Sequence, residues 1–298
     1  MDLPGHGRSP IPFSDQPSRQ YYLDCCPSVC QDPSYKQICR SFSFAELSAD
    51  VLAVFDHFAQ EDSSARTVIN VIVAHSYGTS FALYVAHERP DKVHRLVLIS
   101  GGAPVSLEPF CWPYCLPLGF FKCFWTCIVR HFRRNAFGSS IPVKSNKVHG
   151  TKATEGIQKP NKNEPEGVLL QDDIERSFSI DPLVLRATMR GQSWPEGDVI
   201  YHKTIRVPTL LMIGDRDRYV TIEEEGLMLQ TLPCATMRII YGTGHMMMLE
   251  SPDRVNTHIQ GLIVHPPQFD LYPRRPICNE QPNSVLLTRD TCVQDSVE

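Results

Sequence analysis

Ser76 lies in Ala74-His75-Ser76-Tyr77-Gly78, between a β-branched apolar run at 67–73 and a stretch of helical spacing that Pro90 ends. A serine at a sharp strand-to-helix turn is lifted above its sheet as a nucleophile, provided the residues two places to either side are small. Ala74 and Gly78 meet that condition. A hydroxyl is a weak nucleophile and needs a base. His245, in Gly242-Thr243-Gly244-His245 after a later apolar run, is the best placed of the eleven histidines. An imidazole needs an orienting carboxylate, and Gly214-Asp215-Arg216-Asp217 follows the apolar run before that one. Asp217 is preferred to Asp215, because a loop acid must stand away from its strand end to reach a histidine on the next loop. The backbone N–H of Tyr77, next to the nucleophile, is the candidate donor to an oxyanion. Each position has a blander reading: a serine that caps a helix, an exposed loop aspartate, a loop histidine satisfied by backbone.

The elements that would hold these groups repeat one pattern. The runs at 67–73, 95–100, 209–214 and 237–241 are short and apolar on both faces, and glycine or a sharp turn follows each. Strands of that kind are buried on both sides, so the sequence predicts a parallel sheet covered by helices, an α/β class. Phe44, Leu47, Val51, Val54, Phe55 and Phe58 recur at steps of three or four, which predicts a core-facing helix over about 43–59, with Ser43 and Glu46 as a capping box. Four segments follow: core at 1–102, an insertion at 103–190 with a disordered part near 136–172, core again at 191–265, and a disordered tail at 266–298.

Composition narrows the function. The chain has 298 residues and a formal charge of −4, from 29 Lys and Arg against 33 Asp and Glu. That balance carries no general affinity for nucleic acid, so no nucleic-acid partner is expected. Residues 1–10 show neither a basic nor an apolar leader region, and no uninterrupted apolar run would span a bilayer. The expectation is a cytoplasmic chain that is not secreted. Eleven cysteines at irregular spacing point to reduced thiols rather than a disulfide framework or a zinc site, so neither metal nor cofactor is expected.

In combination these motifs resemble the α/β-hydrolase fold family. Asp2-Leu3-Pro4-Gly5-His6-Gly7-Arg8-Ser9 is similar to its D-x-x-G-x-G-x-S loop, Ala74 to Gly78 to its elbow, and Gly244-His245 through Glu250-Ser251-Pro252 to its G-H-x4-E-x-P ending. Together with the elbow, Leu107-Glu108-Pro109, Val184-Leu185-Arg186-Ala187 and Trp194-Pro195-Glu196-Gly197-Asp198 resemble the animal α/β-hydrolase domain-containing protein 8 group. The resemblance implies Ser76 as nucleophile, Asp217 as acid and His245 as base. It implies a carboxylic ester as substrate, of acylglycerol or lysophospholipid type, cleaved through an acyl-enzyme. It also implies a strand ending in His-Gly before Asp2, which supplies the second oxyanion donor. This sequence begins after that point, so the expectation is a fold whose N-terminal strands are missing. The competing expectation is a catalytically impaired member that acts as a lipid-regulatory or interaction module.

The resemblance places the insertion after the 95–100 run as a cap over the nucleophile. Phe110, Trp112, Tyr114, Leu116, Phe120, Phe121, Phe124 and Trp125 make it apolar, and Arg130, Arg133 and Arg134 close it with positive charge. Two roles remain open: cap packing around an acyl chain, or contact of 109–135 with a membrane or lipid-droplet surface, with Cys111, Cys115, Cys123 and Cys127 as acylation candidates.

Overall fold

A computed structural model describes residues 40–59, 68–109, 113–114, 118–138 and 180–265. The Asp2 to Ser9 motif, Phe110, Trp112, Leu116, Cys111, Cys115, the polar stretch from 139 and the tail from 266 lie outside them.

Four strands, β1 (Val71–His75), β2 (Arg95–Ile99), β3 (Thr209–Gly214) and β4 (Ala235–Ile240), pair in the order β1-β2-β3-β4. All three pairings are parallel, as the doubly apolar runs predict. Helices α1 (Phe44–Phe58), α2 (Gly78–Glu88), α3 (Leu118–Cys123), α4 (Trp125–Ala136), α5 (Pro182–Gly191), α6 (Val199–Lys203), α7 (Ile222–Thr231), α8 (Met247–Glu250) and α9 (Pro252–Val264) complete the described part.

Side-chain alternation along the strands divides the core. Leu96, Leu98 and Leu211 pack with Leu47 of α1 and with Phe81, Leu83 and Val85 of α2. Val97, Ile99, Leu210 and Met212 pack with Val255 and Leu262 of α9. Both faces are therefore covered, with α1 and α2 on one side and α9 on the other. Phe44 ties α1 into its cluster by stacking at 5.1 Å on Phe81 and at 4.6 Å on Trp194. Trp194 and Leu107 exchange backbone hydrogen bonds, at 2.9 and 3.1 Å, so two of the sequence segments that carry the resemblance lie side by side.

Two expectations are corrected. The strands are not equally buried: β3 is buried throughout, whereas β1 has no fully buried residue and its Val73 is 51% exposed. Among the described residues β1 and β4 are end strands, each paired on one side only, so apolar content alone did not set their burial. The capping box at Ser43 is half formed. Its hydroxyl accepts from Glu46 N at 3.3 Å, but the Glu46 carboxylate lies 3.8 Å from Arg40 across the surface. The reciprocal box occurs at Thr221 and Glu224, at the start of α7. In addition, α4 runs through Ala136, which is buried, and Gly138 N is hydrogen-bonded, so residues 136–138 do not belong to the stretch read as disordered.

Candidate active site

Ser76 follows β1 and precedes α2 in a left-handed conformation, with φ 52°. Non-glycine residues seldom adopt it, and the surroundings must hold it there. Ser76 N donates to Ile99 O at 2.9 Å, continuing the β1–β2 ladder past the strand end, and the Thr79 hydroxyl donates to Ser76 O at 2.7 Å. Tyr77 N makes no hydrogen bond among the described residues, which leaves it available as a donor beside the serine.

The loop after β3 presents Asp217 and the loop after β4 presents His245. Asp217 Oδ2 accepts from His245 Nδ1 at 2.9 Å, with the two side chains 1% and 9% exposed. The other carboxylate oxygen, Oδ1, accepts from Tyr219 N at 2.8 Å and Val220 N at 3.1 Å. Burial alone would raise the Asp217 carboxyl, but the hydrogen bonds from His245 and these two amides outweigh it and hold the group below the usual carboxylate value. Asp215 turns elsewhere, its Oδ1 accepting from Gly242 N at 2.5 Å and bracing the two loops against each other. The structure thus brings Asp217 and His245 together and leaves Asp215 out. No hydrogen bond joins Ser76 Oγ to His245 among the described residues; such contacts are often long before substrate binds.

Three further groups at this site have contacts that the local pattern does not show, although Glu250 belongs to the G-H-x4-E-x-P ending. His75 Nε2 lies 2.9 Å from His245 O. Glu250 accepts Gly244 N on Oε1 at 2.7 Å and Gly138 N on Oε2 at 3.0 Å, so it clamps the histidine loop to the end of α4. That clamp needs Gly138 and Gly244, where a Cβ on either would strike the other's backbone. Tyr219 sets its ring 5.0 Å from His245 and donates its hydroxyl to Phe132 O at 3.1 Å. Burial holds its phenol up to about 12, so the donor stays protonated. A cleft of about 280 Å³ between β4 and α9, lined in part by Arg238, His258 and His265, shares no residue with this group.

Comparison with known proteins identifies the family of the fold. Residues 1–252 match the family described as alpha/beta hydrolase fold. The chain is 31% identical to Protein ABHD8 of Homo sapiens over 268 residues, which is 90% of this chain and 48% of that protein. It is 23% identical to the uncharacterized hydrolase YugF of Bacillus subtilis over 74% of this chain and 72% of that one. The chain spans about half the length of the ABHD8 proteins it matches. Among solved structures, an esterase from Exiguobacterium antarcticum superposes with a TM-score of 0.54 at 15% identity, over 88% of this chain and 78% of that one. A thermophilic esterase from Thermogutta terrifontis superposes with a TM-score of 0.53 at 17% identity, over 88% and 77%. With its parallel, helix-covered sheet and a family match over residues 1–252, this chain belongs to the alpha/beta hydrolase fold family.

Proposed function

We propose that the chain is a serine hydrolase acting on carboxylic esters of lipids. The observation that carries this reading is the buried Asp217–His245 hydrogen bond, because it fixes the imidazole with its proton on Nδ1 and leaves Nε2 as a base. His245 Nε2 takes the Ser76 proton as Oγ attacks the ester carbonyl, and Asp217 stabilises the imidazolium that forms. The Tyr77 N–H donates to the oxyanion. Collapse of the tetrahedral intermediate expels the alcohol, which receives the proton from His245. Water then attacks the acyl-enzyme by the same route and releases the acid and free Ser76.

The cap supports a lipid. Its aromatics divide: Phe121 is buried, with Tyr114 at 5.6 Å and Trp125 at 5.8 Å, while Phe120 and Phe124 are 55% and 54% exposed. Cys123 and Cys127 are exposed on the same segment. Arg130, Arg133 and Arg134 follow, and no acidic residue occurs between 118 and 136, in a chain whose net charge is −4. Exposed aromatics followed by cations, in a segment without acidic residues, suit the interface of an anionic bilayer. No helix among the described residues is long and apolar enough to cross a membrane. The full chain should therefore sediment with phosphatidylcholine vesicles that contain phosphatidylserine, less so at high salt, and lose that binding when Phe120 and Phe124 are both changed to serine. Equal binding of that variant would exclude this face.

The reaction is tested with a fluorophosphonate probe on folded wild type and on Ser76→Ala. Labelling that is lost in the variant supports an activated Ser76. A folded wild type that does not label favours the non-catalytic, lipid-regulatory reading instead.

A further inference from the structure

His75 ends β1 directly before the candidate nucleophile, and its Nε2 lies 2.9 Å from the backbone carbonyl of His245, 170 residues away in sequence. A carbonyl oxygen can only accept, so Nε2 carries the proton. Burial, reinforced by the opposing His245, brings the His75 pKa down to about 4, and the donor is therefore a neutral imidazole. The two rings lie 4.6 Å apart between centroids.

The other restraints on His245 arise elsewhere. Asp217, on the loop after β3, orients its ring. Glu250 of α8 holds the amide before it, and Ala136 O of α4 accepts from the amide after it, Met246 N, at 3.0 Å. None of these groups belongs to the strand that carries Ser76. His75 does, and Ser76 itself is locked to β2 through Ile99 O.

We infer that His75 is a positioning residue, whose Nε2–H bond to the His245 carbonyl registers the base against Ser76 through the nucleophile strand. Asp217 settles which way the imidazole faces, and His75 settles where it sits relative to Oγ. Loss of the tether leaves the base oriented but misplaced, and misplacement by about 1 Å can cost on the order of 10² in rate. The effect falls on proton transfer, so it lowers kcat and leaves KM nearly unchanged. A neutral tether also avoids placing a second positive charge beside the imidazolium that forms during acylation.

This inference rests on the serine-hydrolase reading, and its test separates the two. Wild type, His75→Gln and His75→Leu of the full chain are compared for fluorophosphonate labelling rate and for kcat and KM on p-nitrophenyl butyrate. In parallel, NMR of ¹⁵N-histidine-labelled protein follows the His75 tautomer and the proton shared by His245 and Asp217. Gln places an amide donor near the Nε2 position, whereas Leu keeps bulk and removes the donor. Gln is expected within about threefold of wild type, and Leu to lose about 10- to 100-fold in kcat and labelling while the shared-proton signal persists, because Asp217 still orients the ring. Equal losses in Gln and Leu, or a wild-type rate in Leu, overturn the inference. So does a wild-type His75 protonated on Nδ1, which is read without any variant and covers the case in which Leu does not fold. A wild type that never labels removes the hydrolase reading alone; the tether then stands if His75 carries its proton on Nε2 and falls if it carries it on Nδ1.

Discussion

At the scale of single residues, the two aspartates after β3 differ in what they hold. Asp217 bonds a ring, and Asp215 bonds the backbone of the neighbouring loop. Asp217→Asn keeps the shape but offers an amide where a proton acceptor is needed, and the wrong histidine tautomer costs about 10⁴ in turnover in an established triad. A loss of that order in fluorophosphonate labelling is expected for Asp217→Asn, against a loss of less than about tenfold for Asp215→Asn. Comparable losses would mean that the loops, and not the carboxylate, matter. The pH dependence has a definite sign. The folded pKa of Asp217 is depressed, so its contribution to stability is fully present above the ordinary value of 3.8 and is lost as pH falls through the depressed one. Acid titration of wild type against Asp217→Asn reads this as a flatter low-pH limb in the variant.

At the scale of elements, Glu225 of α7 is 0% exposed and accepts from Gly102 N at 2.9 Å, which fastens α7 to the loop leaving β2. Its Oε1 has no hydrogen-bond partner among the described residues. Burial, the dominant cause, pushes this carboxyl up to about 8, with Asp217 and Glu224 adding to the rise. The folded chain thus holds a proton that the unfolded chain releases near 4.5, and stability from this group declines as pH rises from about 4.5 to 8. Glu225→Gln keeps an acceptor for Gly102 without the charge. Urea unfolding is expected to show a gain of about 1–3 kcal/mol at pH 9 and little difference at pH 5, since one pKa unit is worth about 1.4 kcal/mol. A constant difference at both pH values would place the effect in packing.

At the scale of the whole molecule, the end of α4 is joined to the two loops. Tyr219 stacks on Phe132 at 5.7 Å and bonds its carbonyl, Met246 N bonds Ala136 O, and Glu250 bonds both Gly138 and Gly244. Glu250→Ala orphans two amides, at about 1–3 kcal/mol each if they stay buried. The variant should lose about 2–4 kcal/mol in urea unfolding, label more slowly, and be cut faster by trypsin at Arg130 to Arg134 as the end of α4 is released. Unchanged cleavage would show that α4 is held by the cluster of Phe121, Trp125 and Leu183.

Much of this arrangement was legible in the chain before folding, because it follows from neighbours in sequence. Apolar runs closed by glycine or a sharp turn marked all four strands, although β1 begins at Val71 rather than at 67 and ends on His75. Periodicity marked α1, and the small residues around Ser76 marked its turn. Side-chain direction and long-range partnership were decided only by tertiary structure. Phe121 turns inward while its neighbour Phe120 faces out, because successive residues of a helix lie 100° apart and composition is blind to phase; Phe124, at the break between α3 and α4, is exposed as well. Glu250, read from sequence as part of a motif ending, is a clamp on a residue 112 positions away. His75 has no local feature that distinguishes it from any histidine ending a strand, and its role exists only because the β4 loop returns over β1. The sequence by itself determined which groups could do chemistry and the elements that carry them. Only the packing of parallel strands, which places distant loops at one sheet edge, decided which of those groups meet.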